Sequence, residues 1–125
     1  MEPLETIYDL AKDLTIVKAK GKVKAQDLLN WTAEYYSGKV TALILWDFSE
    51  ADIGDVPMDH LKELAVAARR KADVRRGGKS ALVFSRDVDF GLGRMFETLS
   101  EIEKTPVLYN SFRDISKAIS WLGVD

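Results

Sequence analysis

The chain has 125 residues, 46% hydrophobic and 30% charged, which suits one globular domain with one substantial core. Its formal net charge of −2 supplies no overall field toward nucleic acid or an anionic membrane. It holds no cysteine, so disulfides, thiolate metal sites and cysteine nucleophiles are excluded.

The opening segment MEPLETIYDL is acidic and has no basic region followed by a long apolar run, so no signal peptide is expected. No apolar run reaches the ~18 residues of a membrane span. A soluble, cytoplasmic protein without stable membrane insertion is therefore the expectation. ETIYDL (5–10) and LTIVKAKG (14–21) carry strand signals and can pair as a hairpin through AKD. AQDLLNWTAEYYSG (25–38) reads as a helix with Leu28, Trp31, Thr32 and Tyr35 on one stripe and Gly38 at its stop.

KVTALILWDFS (39–49) is apolar almost throughout, as expected of a strand buried on both faces of a parallel sheet. A second helix runs from about Pro57 to Arg76, with Met58, Leu61, Leu64, Ala65, Ala68 and Ala72 as its buried stripe. KSALVFS (79–85) is a third buried strand. A helix from about Asp89 to Lys104 places Leu92, Met95, Phe96, Leu99 and Ile102 inward. PVLYN (106–110) is a short strand. SFRD (111–114) reads as a capping box, Ser111 to Asp114, opening a last helix whose core face holds Phe112, Ile115, Ala118, Ile119 and Leu122.

The order is β-β-α-β-α-β-α-β-α, without linker or repeat, and residues 1–125 are taken as one domain. Strands separated by helices imply right-handed parallel crossovers, with an antiparallel strand at one edge. The predicted fold class is α/β: a mixed, mainly parallel five-stranded sheet flanked by four helices.

The segments GKVKAQDLLNW, LILWDFSEAD, KSALVFSRDVDFGLGRMFETL and SFRDISKAISWL resemble the SpoIIAA-like family of small bacterial proteins, which is related to STAS domains and distantly to Sec14-type lipid-binding folds. The resemblance covers nearly the whole chain beyond about residue 5. It implies a mixed five-stranded sheet flanked by helices and implies neither an activity nor a cofactor. WDFSEADIGDV resembles the corresponding stretch of STAS regulators, where a strand-ending aspartate is followed by Asp-Ser at a helix start and a kinase phosphorylates the serine. Asp47 and Asp55 fit the two aspartates, Val56 stands at the serine position, and Ser49 is nearby but out of place.

Several stretches suggest chemistry. Asp89-Phe90-Gly91 spells a kinase triplet, but the chain cannot hold the glycine-rich loop, strand lysine and catalytic loop that go with it. GLGRMF is no dinucleotide fingerprint: Phe96 stands where the third glycine is needed, six residues separate Gly91 from Phe84, and the next strand ends in Asn110 rather than an acid. A less specific anion site remains if Gly91 and Gly93 open a helix and leave its N–H groups uncovered. Arg94 would then sit at the positive end of that helix, paired either with Asp87, Asp89 or Glu97 or with an anionic ligand.

The acidic loop DFSEADIGD carries Asp47, Glu50, Asp52 and Asp55 without calcium-loop spacing, and is read as a solvated loop capping the next helix rather than a metal site. The basic run RRKADVRRGGK (69–79) lies at a helix C-terminus, where the dipole favours cations, and lacks interleaved aromatics; nucleic-acid binding is not expected. His60, the one histidine, has no nucleophile beside it and is read as an exposed helix residue. A second apolar line, Ala25, Leu29, Ala33 and Tyr36, is either covered by a neighbouring element or forms a homodimer contact.

Ligands of open α/β sheets sit beyond the carboxyl ends of the strands. The candidate ligand- or partner-binding residues are accordingly Asp47, Ser49, Asp52, Asp55, Phe90, Gly91, Gly93 and Arg94. The functional expectation is a non-enzymatic regulatory or protein-binding module, possible as a homodimer. The alternative is a small-molecule or lipid-binding domain of Sec14-like type with its site at that rim.

Overall fold

A computed structural model describes residues 3–125. Five strands, β1 (Leu4–Asp9), β2 (Leu14–Lys22), β3 (Leu43–Asp52), β4 (Lys79–Phe84) and β5 (Leu108–Phe112), form one sheet in sequential order. β1 pairs antiparallel with β2, and the other pairings are parallel. The hairpin turns through a single 3-10 turn, Leu10–Lys12, and Asp13 takes a left-handed conformation with φ 51°.

The crossovers supply α1 (Ala25–Ser37), α2 (Met58–Lys71) and α3 (Asp87–Ile102), and α4 (Ile115–Leu122) follows β5. Helices α1 to α3 cover one face of the sheet, over a core that includes Val23, Phe48, Ile53, Leu61, Leu64, Leu82 and Phe84. Helix α4 covers the other face with Ala118 and Leu122 against Leu14, Leu45, Ala81 and Val83. The parallel strands therefore bury both faces, which is why β3 and β4 read as continuous apolar runs.

Several boundaries depart from the sequence reading. Residues 39–42 are not strand; β3 starts at Leu43 and runs on to Asp52, because the long β2 keeps pairing with it past a bulge between Lys18 and Lys20. The stretch read as an acidic loop is thus half strand. Helix α2 ends at Lys71 and a 3-10 turn, Ala72–Arg75, carries the chain onward.

Helix α3 starts at Asp87, two residues earlier than expected, with Asp87 and Asp89 in its first turn where acids suit the dipole. Ser111 belongs to β5 and caps nothing. Asp114 is itself the N-cap of α4, accepting from the Ser116 N–H at 2.8 Å. Met58, Ile102 and Ile115, expected inside, are 50%, 67% and 43% exposed; each lies at or beside a helix end, where the periodic stripe runs past the sheet.

Candidate functional site

The carboxyl rim gathers most of the expected residues, but as a self-satisfied network. Asp47 Oδ1 accepts from the Ser49 N–H at 3.0 Å and from its hydroxyl at 2.6 Å. Asp52 accepts from the Gly54 N–H at 2.8 Å and pairs with Arg86 Nη1 at 2.8 Å. The Gly54 N–H, followed by Arg86, holds the Asp52 carboxyl below its ordinary range. Asp55 pairs with Lys22 at 2.6 Å.

Arg113 binds Asp87 and donates to the Ser85 carbonyl at 2.7 Å, with its guanidinium over the Phe90 ring at 5.8 Å. Among the described residues, no group of three or more His, Asp or Glu side chains could hold a metal ion. Val56, at the position of the STAS phosphoserine, is buried in the core ahead of α2.

The anion site expected at a glycine-flanked helix start does not form. Gly91 and Gly93 stand in the second turn of α3, inside the helix. Arg94 is exposed, two residues further into the helix than expected, and makes no ion pair among the described residues. Asp87 is taken by Arg113, and Asp89 has Arg86 Nε at 4.0 Å. Gly93 has a different reason to be glycine: it is buried and lets α3 approach the sheet over Phe84 and Ser111.

A separate, largely apolar space lies away from the rim. A cavity of about 90 Å³ lies between the sheet and the α1–α3 layer. Its floor is Ile44, Trp46 and Phe48 of β3, Ser80, Leu82 and Phe84 of β4, and Tyr109 of β5. Its roof includes Leu28, Trp31, Thr32 and Tyr36 of α1, Leu61, Leu64 and Ala68 of α2, and Leu92, Gly93 and Phe96 of α3. Trp46 on the central strand and Tyr109, deep in the protein, both keep accessible surface, because they face this space.

Interiors normally leave few voids larger than a water molecule. Aromatic stacking holds the walls open: Trp46 and Phe48 stack at 5.5 Å, Phe48 and Phe84 at 5.3 Å, and Trp31 meets Trp46 edge-on at 4.6 Å.

The polar end of the cavity lies toward the amino ends of the strands, opposite the rim. Ile44, Ser80 and Tyr109 are lateral neighbours in register there. Arg75 closes this end, 3% exposed. Its Nε donates to the Thr41 carbonyl at 2.9 Å, and Nη2 donates to those of Ala42 and Lys79, each at 3.1 Å. Burial pushes the Tyr109 phenol up to about 12, and raises Tyr36 too; the Arg75 guanidinium beside both opposes the shift.

Of the candidate residues, Gly93 lines the cavity, while Asp47, Ser49, Asp52, Asp55, Phe90, Gly91 and Arg94 do not. Sequence reasoning missed Arg75, which sits inside a basic run and looks like any helix-end cation. It also missed Ser80, Tyr36 and Tyr109, whose polar atoms sit within apolar patterns. In the structure Val74 is 70% exposed and Arg75 buried in the 3-10 turn after α2, an inversion that no local signal in the sequence marks.

The fold and cavity together define an α/β domain of SpoIIAA-like fold with an aromatic interior space. No family model matches the chain. No curated protein matches it either. Among solved structures it is similar to an uncharacterised protein of the DUF3478 family with a SpoIIAA-like fold from Shewanella loihica PV-4, at 16% identity and a TM-score of 0.59. The match covers 95% of this chain and 91% of that one. Among the described residues, no helix is long and apolar enough to cross a membrane.

Proposed function

We propose that this protein is a non-enzymatic small-molecule-binding domain, with its ligand enclosed between the sheet and helices α1 to α3. The observation that carries this reading is the aromatic-walled cavity of about 90 Å³, a space that a purely structural core would fill. It moves the ligand site from the carboxyl rim, where the acids already have partners, to the sheet's interior face. Native mass spectrometry of gently purified protein, followed by thermal shift across a panel of small apolar and aromatic compounds, tests it. A bound mass or a saturable rise in Tm supports the reading. An empty protein indifferent to the whole panel ends it.

A second reading, a regulatory module that associates with another copy of itself, draws on the β1 edge. Ile7, Tyr8 and Leu10 are 39%, 43% and 57% exposed on or beside an edge strand with one side unpaired, a template for strand addition. Sedimentation of the native chain against Tyr8→Lys tests it: a dimer lost in the variant supports it, and a monomer at all concentrations removes it.

A further inference from the structure

Arg75 is a buried cation without a counterion. Among the described residues no carboxylate pairs with it; Nε and Nη2 donate to the three carbonyls, and the guanidinium also stands within hydrogen-bonding reach of the Tyr36 and Tyr109 hydroxyls. A guanidinium carries five N–H donors, so two remain beyond the three carbonyl bonds. A buried charge is costly unless paired. Beside it, Ser80 is 0% exposed and its hydroxyl has no hydrogen-bond partner. Tyr109, its lateral neighbour on β5, and Tyr36 from α1 complete the same end.

With burial raising both phenols, Tyr36 and Tyr109 stay neutral at physiological pH and keep their O–H groups to donate. The lining contains no acid, and Arg75 is its one charged residue. Beyond this end the lining is apolar or aromatic apart from Gly93 and Thr32, whose hydroxyl already donates to the Leu28 carbonyl at 2.8 Å.

We propose that the cavity takes a compact monocarboxylate, its carboxylate held by Arg75 Nη1 and the Ser80, Tyr36 and Tyr109 hydroxyls and its apolar body lying among the aromatic side chains. The proposal rests on the reading of the cavity as the ligand site. One cation matches one negative charge, which separates a carboxylate from a phosphate dianion. At about 90 Å³ the space is smaller than the roughly 150 Å³ of a dry cavity that accommodates benzene, so the body is limited to a short alkyl chain. The guanidinium is pre-positioned by its three carbonyl bonds, so little side-chain freedom is lost on binding.

Calorimetric titration of the full chain with propionate and butyrate, their neutral counterparts propanol and butanol, and inorganic phosphate tests the proposal. The expected result is saturable binding of a carboxylate, at least roughly tenfold tighter than its neutral counterpart, as charge-assisted hydrogen bonds require, with no competition from phosphate. Tyr109→Phe and Ser80→Ala preserve packing, and each should lower carboxylate affinity by roughly tenfold while leaving the neutral probe unchanged. Arg75→Met should abolish the preference for the anion; if it does not fold, the two hydroxyl variants decide. Equal affinity for neutral and anionic probes overturns the carboxylate assignment and leaves the cavity as a binding site. Phosphate competition overturns the assignment as well. No binding by any probe removes both the assignment and the cavity reading.

Discussion

Gly93 of α3 lies so close to Phe84 of β4 that a Cβ added at Gly93 would stand 2.7 Å from Phe84 Cζ, and 2.8 Å from Ser111 Oγ. The glycine therefore sets how near the helix comes to the sheet and fixes one wall of the cavity, since Phe84 also lines it. Alanine in a helix interior ordinarily gains about 1 kcal/mol over glycine. Here overpacking, typically 1–3 kcal/mol, opposes it. Gly93→Ala is expected to lower stability by about 1 kcal/mol in urea unfolding, whereas Gly91→Ala, with open space at its Cβ, should raise it by about the same amount.

Arg75 ties the turn after α2 to the loop before β3 and to the first residue of β4 through its bonds to Thr41, Ala42 and Lys79. Thr41 is held from the other side by Tyr35, whose hydroxyl accepts from the Thr41 N–H at 2.7 Å. Truncating Arg75 removes one donor from each of three carbonyls, although Thr41 keeps the Tyr35 hydroxyl and Ala42 the Lys79 N–H, so Arg75→Met should cost about 1–3 kcal/mol. Arg75→Lys should restore only part of it, because an ammonium cannot reach three divergent carbonyls with the same geometry. Chemical denaturation of both variants checks the order.

Tyr109 gives the protein an alkaline weakness. Its folded pKa of about 12 exceeds the ordinary tyrosine value near 10 because burial disfavours the phenolate. The folded state thus holds its proton longer than the unfolded state. The stability this contributes is complete below pH ~10 and is lost as pH rises toward 12. Spectrophotometric titration should show a late phenol, and Tyr109→Phe should flatten the fall in Tm above pH ~10.

Asp89 is likewise an acid whose anionic form burial disfavours, so the sign is the same. Both carboxylate oxygens are buried without a hydrogen-bond partner, and burial raises the pKa against the pull of Arg86. A carboxyl raised in the folded state stabilises below its unfolded pKa of roughly 4, and that stability is lost as pH rises through the folded value. Asp89→Asn should therefore be more stable than the native chain at pH 7, with the difference vanishing toward pH 4. Unfolding curves at the two pH values measure it; equal gains at both would show that the charge is not the cause.

Local pattern carried most of the fold. The period-3.6 stripes of α1 and α2, the β-branched run of β2 and the two-sided apolar runs of β3 and β4 are properties of short windows, each constrained by which faces must leave water. They determined the element order, the parallel crossovers and the antiparallel edge strand. Three-dimensional packing decided what those windows cannot hold. Gly91 and Gly93 looked like a helix opening until the helix began at Asp87 and placed both in its second turn; Asp52 and Asp55 looked available until Arg86 and Lys22 arrived from distant segments.

The cavity is the clearest case. Arg75, Ser80, Tyr36 and Tyr109 are spread along the chain and meet only when β4 pairs with β5 and α1 closes over the sheet. Each alone obeys its local pattern, so no spacing marks them. A void is a mismatch between the volumes of side chains from several elements, and that mismatch exists only once those elements are packed together.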